Sequence, residues 1–539
     1  MRIKQAKLVL APLFGIFLVL CVAGTSSARA QNDPLIVATT AGKLRGRALP
    51  SGGAEFLGIP YAQPPVGELR WRPPVAAQPW TDIREATAFG APCAQPLLFG
   101  SWNHYDVDRS SEDCLYLNVV TPAWPQAKPL PVMVWLHGGA NQGGSSSNEF
   151  FNGSKLPEHG VVLVTLNYRL GVFGFLALPA LTSESAHHAS GNYGLMDQIL
   201  ALNWVRANIA QFGGDPNNVT LFGQSAGSVD TTILMTSPLA RGLFQKAIGE
   251  SGAAFTRQVI PLAEAEQIGE EAFAAFKLPA GADGIRELRK VPARELLTQL
   301  GPLATRYPRG FAPEIDGWVV PHNPAEVFAA GGEALMPLLV GTTSREEVGI
   351  EEPASVLRAI ITREAGDLAP RALALYGLAG DAQGPPDPVY GSASVQWPAD
   401  VLFHCPVTTE ALWHNATGQP VYEYEFDHPI PGQEARGAIH AAELPYVFGY
   451  FPSAGMIGGN FTQADFKLGD IMESYWTNFA RSGDPNEPGL PKWPRLDAAQ
   501  HYMDFTVDGG VQASDKPLRA AQCDLYREWI AERGHSTKQ

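Results

Sequence analysis

Three short, nearly continuous apolar runs constrain this chain more than any other feature: residues 131–137 (PVMVWLH), 161–167 (VVLVTLN) and 219–223 (VTLFG). A strand covered on both faces has no solvent side on which to place polar residues, so such runs predict the interior of a mostly parallel sheet. Between the second and third, residues 193–212 (YGLMDQILALNWVRANIAQF) space their apolar side chains as a helix does and stop at Gly213-Gly214. Strand, helix, strand in that order is the unit of an α/β fold. Later strand candidates are 337–342 (PLLVGT) and 420–426 (PVYEYEF), while 252–336 and 352–416 read as helices and loops laid over the sheet's active-site edge. No low-complexity linker or internal repeat divides the chain, so one domain over 31–539 is expected.

Residues 1–30 read as a secretory signal peptide. Arg2, Lys4 and Lys7 make a basic start, 8–24 is an uncharged apolar run, and Ala28-Arg29-Ala30 offers small residues for cleavage before Gln31. Cys21 follows Leu20 rather than a small residue, which makes a poor lipid-attachment site. No other stretch is long and apolar enough to span a bilayer, so no stable membrane anchor is expected, and the destination is the periplasm or the exterior. The whole chain carries 39 basic and 54 acidic residues, a formal charge of −15. Loss of the leader removes four basic groups and no acid, deepening this to −19. Such a surface repels nucleic acid. Cys93, Cys114, Cys405 and Cys523 are then four cysteines in an oxidising compartment, with three possible pairings and no close spacing of the kind that binds zinc.

Gly223-Gln224-Ser225-Ala226-Gly227 follows the strand VTLFG and precedes a segment of helical character, 228–235. That context separates a nucleophile elbow from a chance G-x-S-x-G. An attacked ester carbonyl becomes a tetrahedral oxyanion that needs amide donors from a second place in the fold. His137-Gly138-Gly139-Ala140, at the end of the strand VMVWL, is placed to supply them: Gly139 and Ala140, with the amide of Ala226, would make a three-donor oxyanion hole. The order in such folds is Ser, then Asp or Glu, then His. His440, in the small-residue loop 437–440 (GAIH), is the candidate base. The acid should follow the strand PLLVG, where Glu346 and Glu347 both qualify.

These residues sit in longer strings. Residues 212–227 (FGGDPNNVTLFGQSAG) resemble the active-site signature of the type-B carboxylesterase and cholinesterase family, and 112–119 (EDCLYLNV) resemble its second signature. FLGIPYA at 56–62, LRW at 69–71, NYR at 167–169 and GNYG at 191–194 extend the likeness over the mature chain. The resemblance implies an α/β-hydrolase fold and hydrolysis of small-molecule carboxylic esters without cofactor or metal, in a monomer or homodimer. It implies Ser225 as nucleophile, His440 as base and, five residues beyond Gly341, Glu346 as acid, with Glu347 standing where the family usually has glycine. Disulfides Cys93–Cys114 and Cys405–Cys523 follow from the same likeness. Some members of the family are adhesion modules without the nucleophile, and lipases and peptidases share the elbow; the complete Ser225, Glu346, His440 set favours the esterase.

Two departures bear on substrate. Gln224 replaces the common glutamate beside the nucleophile, which removes a negative charge and argues against choline esters. Residues 307–317 (YPRGFAPEIDG) resemble the acyl-pocket loop, with Arg309 where cholinesterases place aromatics and Arg306 nearby. A guanidinium there could grip a substrate carboxylate bidentately, as for the tricarballylate esters removed by fumonisin esterases of this family. The alternative is an arginine turned to solvent or paired with a structural acid. Arg309, Phe311, Trp102 and Gln224 are the candidate substrate contacts.

Overall fold

The first apolar run, 131–137, becomes the strand Leu130–Leu136, and alternation along it explains its composition. Val132, Val134 and Leu136 pack into one hydrophobic core, Met133 and Trp135 into another on the opposite face of the sheet. The same split recurs at Val162, Val164 and Leu166 against Leu163, and at Leu338 and Val340 against Leu339. Both faces are dry, so both sets of positions are mostly apolar.

The computed structural model describes residues 35–96, 109–152, 154–255, 259–306, 311–346, 351–380 and 383–536. The segment read as a signal peptide lies outside these. From Leu35 onward the chain forms one compact unit around an eleven-stranded sheet. Its strands are β1 (Arg47–Ala48), β2 (Ala54–Pro60), β3 (Tyr116–Thr121), β4 (Leu130–Leu136), β5 (Val162–Leu166), β6 (Gly214–Gln224), β7 (Lys246–Glu250), β8 (Leu338–Thr343), β9 (Val421–Phe426), β10 (Met503–Phe505) and β11 (Val511–Ala513). They lie in the order β11-β10-β9-β8-β7-β6-β4-β5-β3-β2-β1. From β5 through β4, β6, β7, β8 and β9 to β10 every neighbouring pair is parallel, and the ends are antiparallel. A separate three-stranded sheet joins Ile36–Ala38, Lys43–Arg45 and Ile83–Glu85.

The predicted helix forms as α1 (Tyr193–Asn208), continued by a 3-10 turn at Ile209–Phe212 and stopped by Gly213 at φ 84°. Most of α1 is buried around its whole circumference, as expected of a helix sandwiched between the sheet and other elements. After the elbow comes α2 (Ala226–Thr236), buried at every position. Among the described residues, 352–416 forms helices and loops as expected, and so does 252–336 apart from one two-residue strand pair, Ile260–Pro261 with Glu314–Ile315. Not foreseen were β1, β2, β3, β7, β10 and β11. Of these, β7 is wholly buried despite containing Lys246 and Glu250.

The disulfides are Cys93–Cys114 and Cys405–Cys523, closing sequence separations of 21 and 118 residues. The second ties the C-terminal helix Ala520–Ser536 into a third apolar cluster with Leu357, Trp397 and Trp529. If loop-closure entropy dominates, replacing Cys405 and Cys523 by alanine should cost about 2–5 kcal/mol, more than removing Cys93–Cys114. Urea midpoints of the two double variants measure this, and equal or inverted losses contradict it.

Candidate active site

Ser225 stands between the C-terminal end of β6 and the first turn of α2, with φ 56° and ψ −121°. A non-glycine residue in such a conformation costs about 1–3 kcal/mol and persists only where its surroundings leave no choice. Its amide donates to the Glu250 carbonyl at 2.8 Å, and its own carbonyl accepts from Val229 at 3.0 Å. Packing supplies the rest. A Cβ on Gly227 would lie 2.0 Å from the Leu136 carbonyl oxygen, and one on Gly223 would lie 2.5 Å from the Gly227 backbone. The flanking glycines of the pentapeptide therefore let α2 lean directly on the end of β4. Gln224 and Ala226 are buried, while Ser225 is half-buried.

Because β4 and β6 pair in register, Leu136 opposite Gly223, the loop after β4 runs alongside the elbow. Gly138 permits this: its Cβ would meet the Gln224 carbonyl at 2.8 Å and Ser225 Cβ at 3.0 Å. Then come three residues of positive φ, Gly139 at 116°, Ala140 at 55° and Asn141 at 56°. Gly139 is half-buried and Ala140 exposed. The amides of Gly139, Ala140 and Ala226 donate to no protein group among the described residues. His137 is no rival base. It is buried, its Nδ1 donates to the Gly138 carbonyl at 2.9 Å, its ring stacks on Tyr168 at 4.5 Å, and burial pushes its pKa down to about 4.

The loops after β8 and β9 meet beside the elbow, joined by a parallel bridge between Arg345 and Ile439. There His440 Nδ1 donates to Glu346 Oε2 at 2.5 Å, and Glu346 Oε1 accepts from the Thr343 amide at 2.8 Å. Burial alone would raise the Glu346 pKa, but the charge and hydrogen bond of His440 hold it below the ordinary carboxylate value. The other ring nitrogen, Nε2, receives the Gln224 side-chain amide at 3.1 Å. Thus one imidazole links the acid to a residue adjoining Ser225. Phe403 packs against its ring at 4.8 Å.

Phe311 is buried and its carbonyl accepts from Gln142 Nε2 at 2.6 Å, which fastens the chain beyond Arg309 to the loop after β4. Trp102, Arg309 and Glu347 lie outside the described residues. Among the described residues no group of three or more His, Cys, Asp or Glu side chains could hold a metal ion.

Residues 33–526 match the model of the carboxylesterase family. The chain belongs to that family. It is 36% identical to the fumonisin B1 esterase of Sphingopyxis macrogoltabida, over 92% of this chain and 91% of the relative. It is 37% identical to the para-nitrobenzyl esterase of Bacillus subtilis, over 85% and 92% of the two chains. A solved PNB esterase superposes with a TM-score of 0.80 at 34% identity, covering 91% of this chain and 99% of that one. The carboxylesterase described here is thus a carboxylic ester hydrolase with an α/β-hydrolase fold.

Two groups of buried polar residues went unseen in the sequence. Asp230 on α2 accepts from Asn141 Nδ2 at 2.9 Å and from Gln198 Nε2 at 2.6 Å, and all three residues are buried. Burial raises the Asp230 carboxyl to about 7, against the pull of its two amide donors. Behind His440 and Glu346 lie Glu443 and Glu250, both fully buried, with Trp476 Nε1 donating to Glu250 at 2.7 Å. Each interrupts an otherwise apolar or small-residue segment, a faint signal without its partners.

Burial, and for Glu443 the charge of Glu346, raises the Glu443 and Glu250 carboxyls above their ordinary values. The folded protein therefore keeps protons that the unfolded chain releases near the ordinary value of 4.5. Their contribution to stability is full below that pH and is lost as the pH rises through the raised values. Each such proton contributes a slope of up to about 1.4 kcal/mol per pH unit. Glu443→Gln should flatten the decline of the urea midpoint between about pH 4.5 and about pH 8; an unchanged slope contradicts this.

Proposed function

We propose that Ser225 is the nucleophile, His440 its general base and Glu346 the acid that orients the imidazole, with the amides of Gly139, Ala140 and Ala226 receiving the oxyanion. The observation that carries this reading is the His440–Glu346 hydrogen bond, which puts the ring proton on Nδ1 and turns the Nε2 lone pair, here accepting from the Gln224 amide, to the elbow side, where the Ser225 hydroxyl takes its place in catalysis. Ser225 Oγ adds to the ester carbonyl carbon as its proton passes to Nε2, and the carbonyl electron pair moves onto oxygen among the three amides. Collapse expels the alkoxide, which takes the proton from Nε2. Water then repeats the addition on the acyl-serine, with His440 again base and then acid. Glu346 stabilises the imidazolium in each half and keeps its own charge.

Ser225→Ala should lower kcat on a p-nitrophenyl ester by about 10⁴- to 10⁶-fold, and Glu346→Gln by about 10⁴-fold with the fold intact. Activity retained by the serine variant would remove the assignment.

The substrate we infer carries a free carboxylate on its acyl part. Arg306 and Arg309 precede Phe311, which is hydrogen-bonded to the loop bearing Gly139 and Ala140, and one relative is named for fumonisin B1. The uncharged Gln224 beside Ser225 offers no anion for a cationic ester. We also infer export behind a leader of residues 1–30, leaving a single domain from Gln31. The two disulfides fit an oxidising compartment, and among the described residues no helix is long and apolar enough to cross a membrane.

Arg309→Ala should reduce kcat/KM for a half-ester of a dicarboxylic acid by about 10-fold or more, the worth of a charge-assisted pair, and leave the neutral ester nearly unchanged. An equal loss on both esters would sink this inference.

A further inference from the structure

We propose that Asp230 is a positioning residue for ester hydrolysis, fixing the oxyanion loop from behind through the Asn141 carboxamide. The inference rests on the reading that Gly139 and Ala140 donate to the oxyanion, and it names what keeps them there.

Three consecutive residues of positive φ, two of them not glycine, do not hold that shape unaided. The loop is pinned at its far end, where Asn141 is gripped on two sides. Its backbone carbonyl accepts from the Gly171 amide at 2.7 Å, and its side-chain Nδ2 donates to Asp230 Oδ1 at 2.9 Å. Asp230 sits five residues after Ser225 on α2, the helix that also carries the Ala226 amide. One carboxylate thereby couples the two elements whose amides must converge on a single oxygen. Its second oxygen accepts from Gln198 Nε2 at 2.6 Å, which fastens it to α1. Asn141, Asp230 and Gln198 are 3%, 0% and 0% exposed, so no solvent competes for these bonds. Among the described residues Asn141 Oδ1 and Gln198 Oε1 have no partner, so the bonds to Asp230 are what fix the Asn141 and Gln198 side-chain amides.

The arrangement differs from an ordinary structural contact in what it should control. A group that only supports the fold alters stability. A group that aims amides at the transition state alters kcat and leaves ground-state binding alone.

The test is a double-mutant cycle on Asp230→Ala and Asn141→Ala, read as kcat and KM on a p-nitrophenyl ester. It is paired with inhibition by a trifluoromethyl ketone, whose hemiketal oxygen takes the oxyanion position. Asp230→Ala should lower kcat by about 10- to 100-fold, up to the loss of one oxyanion donor, with KM nearly unchanged, and weaken the ketone by the same factor. In the Asn141→Ala background it should add almost nothing. Asp230→Asn, of the same shape and able to accept from one amide at a time, should fall between wild type and Asp230→Ala and guards against a variant that does not fold. Effects that multiply in the double variant, or an Asp230→Asn whose kcat and ketone affinity match wild type, overturn the proposal while leaving the oxyanion reading standing. A wild-type enzyme that hydrolyses the ester but is indifferent to the ketone would instead take away the oxyanion reading, and this proposal with it.

Discussion

The rest of the site depends on one close approach, that of the Gly227 backbone to the Leu136 carbonyl. There is no room between them for a methyl group, since a Cβ would stand 2.0 Å from that oxygen. Because of that contact the first turn of α2 rests on the end of β4, the serine between β6 and α2 is forced to positive φ, and the loop after β4 passes within contact distance of Ser225 Cβ. Strain at the serine thus goes with the tight packing of the first turn of α2 on the end of β4, and it is held by hydrogen bonds to Glu250 and Val229 on either side.

Around this contact the parallel sheet acts as an aligning device. The ends of β4, β6, β7 and β8 lie side by side, so the loops that follow bring the amides of Gly139 and Ala140, the Ser225 hydroxyl, the Glu250 carbonyl and the Glu346 carboxylate to one edge. The loop after β9 brings His440 to meet Glu346 through the Arg345–Ile439 bridge. Electrostatics then sort several buried acids into different roles. Glu346, paired with His440, is held below its ordinary pKa, whereas Glu443 and Glu250 in the same interior are raised. A carboxylate with a hydrogen-bonded imidazole keeps its charge in that environment, and those without a cation favour the protonated form.

Much of this was legible beforehand, for identifiable reasons. The runs PVMVWLH, VVLVTLN and VTLFG were readable because burial on both faces removes polar residues from both sets of positions. Residues 193–212 were readable because α1 is long enough for helical spacing to show and ends at a glycine pair. The elbow was readable because its glycines answer a local steric need. By contrast, β7 (KAIGE) was not, since Lys246 and Glu250 at its ends disguise a fully buried strand and are accommodated by Asn218 and Trp476, partners far away in the chain. Strands β2 and β3 were missed as strands although their residues carried the family likeness, because β2 has a register irregularity between Phe56 and Ile59 and its partner is some sixty residues away.

The sequence by itself determined the fold class, through apolar faces and small residues at a crowded turn, and the family, through signature strings such as FGGDPNNVTLFGQSAG and EDCLYLNV. Pattern alone left Glu346 and Glu347 level, and only the family likeness separated them. The tertiary structure placed Glu346 Oε2 on His440 Nδ1 at 2.5 Å. It alone also joined Asn141, Asp230 and Gln198, positions scattered over ninety residues whose side chains have no relation until β4, α1 and α2 are stacked. Hydrogen bonds between distant segments are set by the angle and spacing at which whole elements pack, and no local pattern of residues encodes that geometry.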